Sequence, residues 1–280
     1  MTSHSFRLSP ATGRPLEGIL DLPSGPGPHP TVVICHGFKG FLEWGFFPPL
    51  AELLAQRGFA AVRFNLSGAG MRPGDELVTD PEAFRTNTYT KELEDLLAVL
   101  EVLGSAIGPE RLDLDRLGLV GHSRGGAASL LAAASDAWRD RVKALVTWAA
   151  IARVDRFSED QMALWRKIGD FPVANARTGQ ELALGPAMRE EIEARPAHLD
   201  LLAAAGRRRA PWLIVHGRED ESVPFREAGE LAGAATGTTQ LLAIEGGNHT
   251  FGAKHPFAGP TPQLIEAMNA TQTWLKRYLG

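Results

Sequence analysis

Short apolar runs alternate along this chain with longer stretches whose apolar positions recur every three or four residues. The short runs are "TVVIC" (31–35), "FAAVRF" (59–64), "RLGLVG" (116–121), "VKALVTWAA" (142–150), "PWLIVHG" (211–217) and "TTQLLAIEG" (238–246). A run that is apolar at nearly every position suits a strand covered on both faces, as in a parallel sheet. Between them, "PPLAELLAQRG" reads as a helix ending at Gly58, and "YTKELEDLLAVLEVLG" sets Leu93, Leu96, Leu97, Leu100 and Leu103 at helical spacing. "AASLLAAA" follows "RLGLVG" as a helix, and "TPQLIEAMNATQTWLKRYLG" closes the chain as another, with Thr261 as N-cap and Pro262 in its first turn. At the start, "SFRLSPATGRPLEGILDLP" reads as a hairpin with Gly13 in its turn. Strands alternating with helices predict an α/β fold with a mostly parallel central sheet flanked by helices.

One connection breaks the rhythm. Roughly sixty residues separate the run ending at Ala150 from "PWLIVHG", far more than an ordinary helix-to-strand link. "SEDQMALWRKI" opens with a capping-box pattern, Ser158 to Gln161, and sets Met162, Trp165 and Ile168 on one helical face. "GPAMREEIEA" predicts a second helix with Pro186 in its first turn. The expectation is a core of residues 1–150 and 210–280, with a cap inserted at 151–209 over one end of the sheet.

Composition narrows the function. A formal net charge of −4 over 280 residues gives no electrostatic reason to bind nucleic acid or an anionic membrane. No stretch nears the ~18 consecutive apolar residues of a spanning helix. "MTSHSFRLSP" lacks a basic segment followed by an apolar run, so no signal peptide is expected and a cytoplasmic setting is. The single cysteine, Cys35, rules out an intrachain disulfide and a cysteine metal cluster. No H-E-x-x-H, P-loop or dinucleotide fingerprint occurs, so neither metal nor cofactor is expected.

The chemistry centres on "GLVGHSRGG" (118–126). Gly121 and Gly125 flank Ser123 in G-x-S-x-G, at the point where a strand must reverse into a helix. That turn strains the serine backbone and lifts its hydroxyl above the sheet, and side chains two residues away on either side would clash. The Arg124 amide then opens a helix, where donors and dipole favour negative charge. A serine nucleophile needs a base, and the base an orienting acid. Among eight histidines, His249 in "IEGGNHTF" follows the last strand and a glycine pair, where a loop can lower an imidazole onto the serine; His255 is its rival. His36 and His122, each at a strand end, are expected to shape the site or pack. For the acid, "HGREDESVP" offers Glu219, Asp220 and Glu221, and Asp155 after the preceding strand is the reserve.

These stretches together resemble the α/β-hydrolases, nearly end to end. "HGF" (36–38) resembles that family's oxyanion loop, "GHSRGG" its nucleophile elbow, "HGREDESVP" its acid loop and "GGNHTF" its histidine loop. Within the superfamily the likeness is to bacterial carboxylesterases related to dienelactone hydrolase and to feruloyl-type esterases. Dienelactone hydrolase itself has a cysteine nucleophile, whereas Ser123 stands here. The resemblance selects Asp220 as acid and gives a Ser123–His249–Asp220 triad, with the Phe38 and Arg124 amides as oxyanion donors. It implies a serine esterase forming an acyl-enzyme, acting on a small-molecule ester of short to medium acyl length. An amide or peptide hydrolase with the same triad is the alternative, and a non-catalytic binding protein on this fold a more distant one. Pairing into a homodimer is left open. The expected pocket residues are His122, Trp44, Phe47, Trp148, Trp165 and Phe251, with Phe38 and Phe46 nearby; Trp148 and half of these aromatics could instead be core.

Overall fold

The computed structural model describes residues 1–9 and 13–280. Its elements run β1 (Thr2–Leu8), β2 (Leu16–Leu22), β3 (His29–Cys35), α1 (Phe47–Gln56), β4 (Ala60–Phe64), α2 (Pro81–Arg85), α3 (Tyr89–Glu101), β5 (Leu112–His122), α4 (Arg124–Ala134) and β6 (Val142–Trp148). The second half adds α5 (Glu159–Ile168), β7 (Phe171–Asn175), β8 (Gln180–Leu184), α6 (Pro186–Ala194), α7 (Leu201–Arg207), β9 (Trp212–Gly217), α8 (Arg226–Ala234), β10 (Thr239–Ile244) and α9 (Pro262–Leu279).

Eight strands form one sheet in the order β1-β2-β4-β3-β5-β6-β9-β10. β2 is antiparallel to both β1 and β4, and the pairs from β4 to β10 are parallel. The expected N-terminal hairpin forms, Leu8 pairing with Leu16, although turn residues 10–12 lie outside the described residues.

Successive strand side chains alternate between two apolar layers. In β3, Val32 and Ile34 join α1 and α9 on one face, while Val33 and Cys35 join α3 and α4 on the other. α9 buries Leu264, Ala267, Met268, Thr271, Trp274, Leu275 and Leu279, the stripe a helix lying on a sheet requires. Thr261 caps it by accepting from the Leu264 amide.

Chain order reverses at β3: β4 pairs on one side and β5 on the other. A crevice at the carboxyl ends of strands beside such a reversal is where open α/β sheets place their chemistry.

Between β6 and β9, α5 forms with both arms of the Ser158–Gln161 capping box in place. Met162 and Trp165 are buried, but Ile168, the last residue of the helix, is 44% exposed. The β7–β8 hairpin was not anticipated. α7 packs on α4 and α8 beside the sheet, so this last part of the 151–209 segment is an ordinary crossover helix leading into β9.

Candidate active site

β5 delivers Ser123. The Ser123 amide donates to the Trp148 carbonyl (2.8 Å), prolonging the β5–β6 ladder by one bond. The chain then turns sharply at φ 56°, ψ −120°, and α4 begins. Both flanking glycines are sterically required. A Cβ on Gly121 would lie 2.3 Å from the Gly125 carbonyl oxygen, and one on Gly125 would lie 2.3 Å from the Cys35 and His36 carbonyl oxygens. The first turn of α4 thus presses on the ends of β5 and β3 together.

The loop after β3 rests on this elbow. A Cβ on Gly37 would approach Ser123 Cβ to 2.9 Å and the Arg124 amide nitrogen to 3.3 Å. Phe38 follows, and the Gly40 amide closes a turn onto the Gly37 carbonyl (3.0 Å). The family resemblance implies Phe38 and Arg124 as the two donors, and the fold brings the loop carrying Gly37 and Phe38 against the start of α4.

His249 Nδ1 donates to Asp220 Oδ2 (2.8 Å). With its proton on Nδ1, the ring leaves Nε2 free to accept. The Asp220 carboxylate is fully buried. Its Oδ1 accepts from the amides of Ser222 (2.9 Å) and Val223 (2.8 Å). Burial alone would raise its pKa, but contacts with His216 and His249 and the Val223 amide hold it well below the usual carboxylate range. Its neighbours Glu219 and Glu221 are exposed. Asp155 is exposed too, 3.9 Å from Arg195, and has no part in this cluster.

Second-layer contacts fix the His249 loop. Gly217 packs against the Gly247 carbonyl, and the Glu219 amide donates to it (2.9 Å), which locks the acid and base loops together. Asn248 Oδ1 accepts from the Thr250 and Gly252 amides (3.1 and 2.7 Å). His122 Nε2 donates to the His249 carbonyl (2.8 Å), and the two rings lie 4.7 Å apart. Burial lowers the His122 pKa to about 3, so it serves as a neutral tether under the base. His255 is occupied elsewhere, by the Gly45 amide (3.0 Å) and by Glu76 (2.8 Å). Among the described residues no hydrogen bond joins Ser123 to His249; such bonds often form only once substrate is bound.

A cavity of about 240 Å³ opens beside His249. Gly37, Phe38, Trp44, Phe47 and His122 line it, and Asn175, Ala176 and Arg177 cover it from the turn of the β7–β8 hairpin. Three expected pocket residues are elsewhere. Trp148 is buried in the core and donates its indole N–H to Thr271 (2.8 Å). Phe251 is buried against Trp148 (5.5 Å between ring centres) and anchors the His249 loop from below. Trp165 is buried beneath α5, between Phe157 and Phe171. Each ring meets enough apolar surface to be drawn fully out of water. The hairpin residues were missed because nothing in their types marks them as pocket residues. Among the described residues no cluster of histidine, cysteine, aspartate and glutamate could hold a metal ion.

A strained serine at a strand-to-helix turn, below a histidine–aspartate pair on the loops of two later strands, defines an α/β protein built around a nucleophile elbow. The α/β hydrolase fold family matches residues 30–182, more than half of the chain, and the protein belongs to that family. It is 30% identical over 144 residues to 2,6-dihydropseudooxynicotine hydrolase of Paenarthrobacter nicotinovorans, a match spanning 51% of this chain and 34% of that protein. The chain matches between 34% and 57% of the length of such curated relatives. Among solved structures, Est1E from Butyrivibrio proteoclasticus with ferulic acid bound superposes with a TM-score of 0.74 at 23% identity, covering 96% of this chain and 98% of that one. Dienelactone hydrolase from Anabaena variabilis gives 0.65 at 18% identity over all of both chains. Identities this low establish the fold.

Proposed function

We propose that the protein hydrolyses carboxylic esters of short acyl chain through a serine acyl-enzyme. The observation that carries this reading is the 2.8 Å His249–Asp220 pair on the loops beside an elbow serine held at φ 56°. In the proposed cycle His249 Nε2 takes the Ser123 proton as the oxygen attacks the ester carbonyl. Asp220 accepts from Nδ1 throughout and stabilises the imidazolium. The oxyanion receives the Phe38 and Arg124 amides, each worth roughly 3–4 kcal/mol in the transition state. The intermediate collapses, the alkoxide leaves with the proton from His249, and a water activated by the same nitrogen releases the acid. No step calls on a cofactor.

A cavity near 240 Å³, bounded by Phe38, Trp44 and Phe47, favours a small acyl group. The part of 151–209 that precedes α7 is read as a cap whose hairpin turn limits the site; the partner is a small-molecule ester and the setting cytoplasmic. The test is kcat/KM on p-nitrophenyl acetate, butyrate and octanoate, with p-nitroacetanilide as the amide counterpart of the acetate. The expected order is acetate or butyrate first, octanoate far behind and the anilide slowest. An octanoate optimum would make the cap a lipid-facing lid, and preference for the anilide would make the protein an amidase.

A further inference from the structure

The Arg124 side chain lies inside the protein with no part in the proton transfers. It is 6% exposed, and Glu92 of α3, its partner, is 2% exposed. Arg124 Nε donates to Glu92 Oε2 (3.0 Å), and Nη2 lies 2.7 Å from Oε1. Asn87 Nδ2 fixes the same carboxylate at 2.7 Å. The guanidinium is also sandwiched: its carbon stands 4.1 Å from the centre of the Tyr89 ring and 4.8 Å from that of Phe38.

Phe38 is the other end of this arrangement. It sits between Gly37 and Gly40, next to Lys39 at φ 58°, on a stretch of backbone with little intrinsic preference for one conformation. Its ring is held by Phe84 (5.3 Å) and by the Arg124 guanidinium. One residue thus supplies an oxyanion amide from its backbone and grips the loop carrying the other amide with its side chain.

Stability does not account for such a pair. Desolvating a guanidinium and a carboxylate costs about as much as their attraction returns, and neutral replacements of similar shape are often tolerated. Geometry does account for it, because oxyanion donors act only when aimed before the charge develops.

We propose that Arg124, locked by Glu92 and Tyr89, is a positioning residue that sets the spacing of the Phe38 and Arg124 amides. This rests on the hydrolase reading above. The deciding variant is Arg124→Met/Glu92→Gln. It removes both charges together, leaves no orphaned ion, and keeps an acceptor for Asn87. The folded double variant is expected to lose about 10- to 100-fold in kcat on p-nitrophenyl acetate, with KM within about twofold, because the lost interaction belongs to the transition state. Inhibition by phenylboronic acid, which places a tetrahedral oxygen between the same amides, should weaken by a similar factor.

Unchanged kcat in the folded double variant overturns the proposal. So does a lower melting temperature with kcat per phosphonate-titrated site unchanged, since that is a purely structural role. Should the double variant not fold, Tyr89→Leu removes one face of the sandwich without touching a charge, and the same readings decide. If the wild-type protein neither turns over p-nitrophenyl acetate nor is labelled at Ser123 by a fluorophosphonate, the hydrolase reading itself has failed, and this proposal falls with it.

Discussion

At the scale of single residues, the histidines differ by their partners. His249 has a buried carboxylate on Nδ1, whereas His255 spends both ring nitrogens on the Gly45 amide and Glu76. His249→Ala is therefore expected to abolish turnover and His255→Ala to leave most of it, measured as kcat on p-nitrophenyl acetate. Asp220→Asn keeps the shape but favours the wrong imidazole tautomer, and a loss on the order of 10⁴ in kcat is expected. Asp155→Asn should change little, since Asp155 is exposed and faces Arg195. An inactive Asp155 variant with an active Asp220 variant would move the acid to the β6 loop. The loops that carry the candidate acid and base were readable because each follows a strand, and the strands are apolar runs; strand order leaves Glu219, Asp220, Glu221 and Asp155 open, and the family resemblance selects Asp220. The pocket was less readable. Trp148, Trp165 and Phe251 carry the same side-chain types as Trp44 and Phe47, and only packing decides which ring borders the cavity.

At the scale of elements, the strands were legible and the connections less so. β3, β4, β6 and β9 are buried at nearly every position because both faces are covered. β7 and β8 have only five residues each, and β7 contains Pro172, so neither announces a strand. α8 carries two glycines, which blur a helical pattern. Several hydrogen bonds tie the inserted segment to the body, among them Gly185 to Arg85 and Gln180 to Val78, and one of them caps a helix. Glu191 of α6 accepts from the Tyr89 and Thr90 amides (2.7 and 3.1 Å) and so caps α3 from another element. Glu191→Ala is expected to lower the unfolding free energy by about 1–2 kcal/mol, read from urea denaturation. An unchanged midpoint would mean that water replaces the cap at no cost. Gly125→Ala should do more harm, about 1–3 kcal/mol, because its methyl group would meet two carbonyl oxygens at 2.3 Å.

At the scale of the whole molecule, buried titrating groups near the site set an acid limit. Burial lowers the pKa of His122 to about 3 and of His36 to about 4, from an ordinary 6.5. Burial also pushes the Asp95 carboxyl up to about 7 from 3.8. Around pH 5, of these three groups, the unfolded chain binds about two protons, at the histidines, that the folded chain refuses, while the folded chain keeps about one at Asp95 that the unfolded chain has lost. From these three groups the unfolded state carries a net excess of about one proton near pH 5, so their contribution to stability falls on acidification, on the order of 1 kcal/mol per pH unit. Asp95→Asn removes the opposing proton and should steepen that slope towards two protons, whereas His122→Asn should flatten it. Urea unfolding at pH 4.5, 5.5 and 6.5 measures all three slopes, and identical slopes in wild type and both variants would contradict the assignment.

The central claim is that Ser123 attacks the substrate and carries the acyl group. Its most direct test is intact-protein and peptide mass spectrometry after treatment with a fluorophosphonate, run beside turnover of p-nitrophenyl acetate by wild type and Ser123→Ala. The expected result is one phosphonate adduct, on the peptide containing Ser123, with activity lost in step with labelling, and a folded Ser123→Ala protein that neither reacts nor turns over. Adduct on another residue, or hydrolysis by the alanine variant at a rate near wild type, would contradict it.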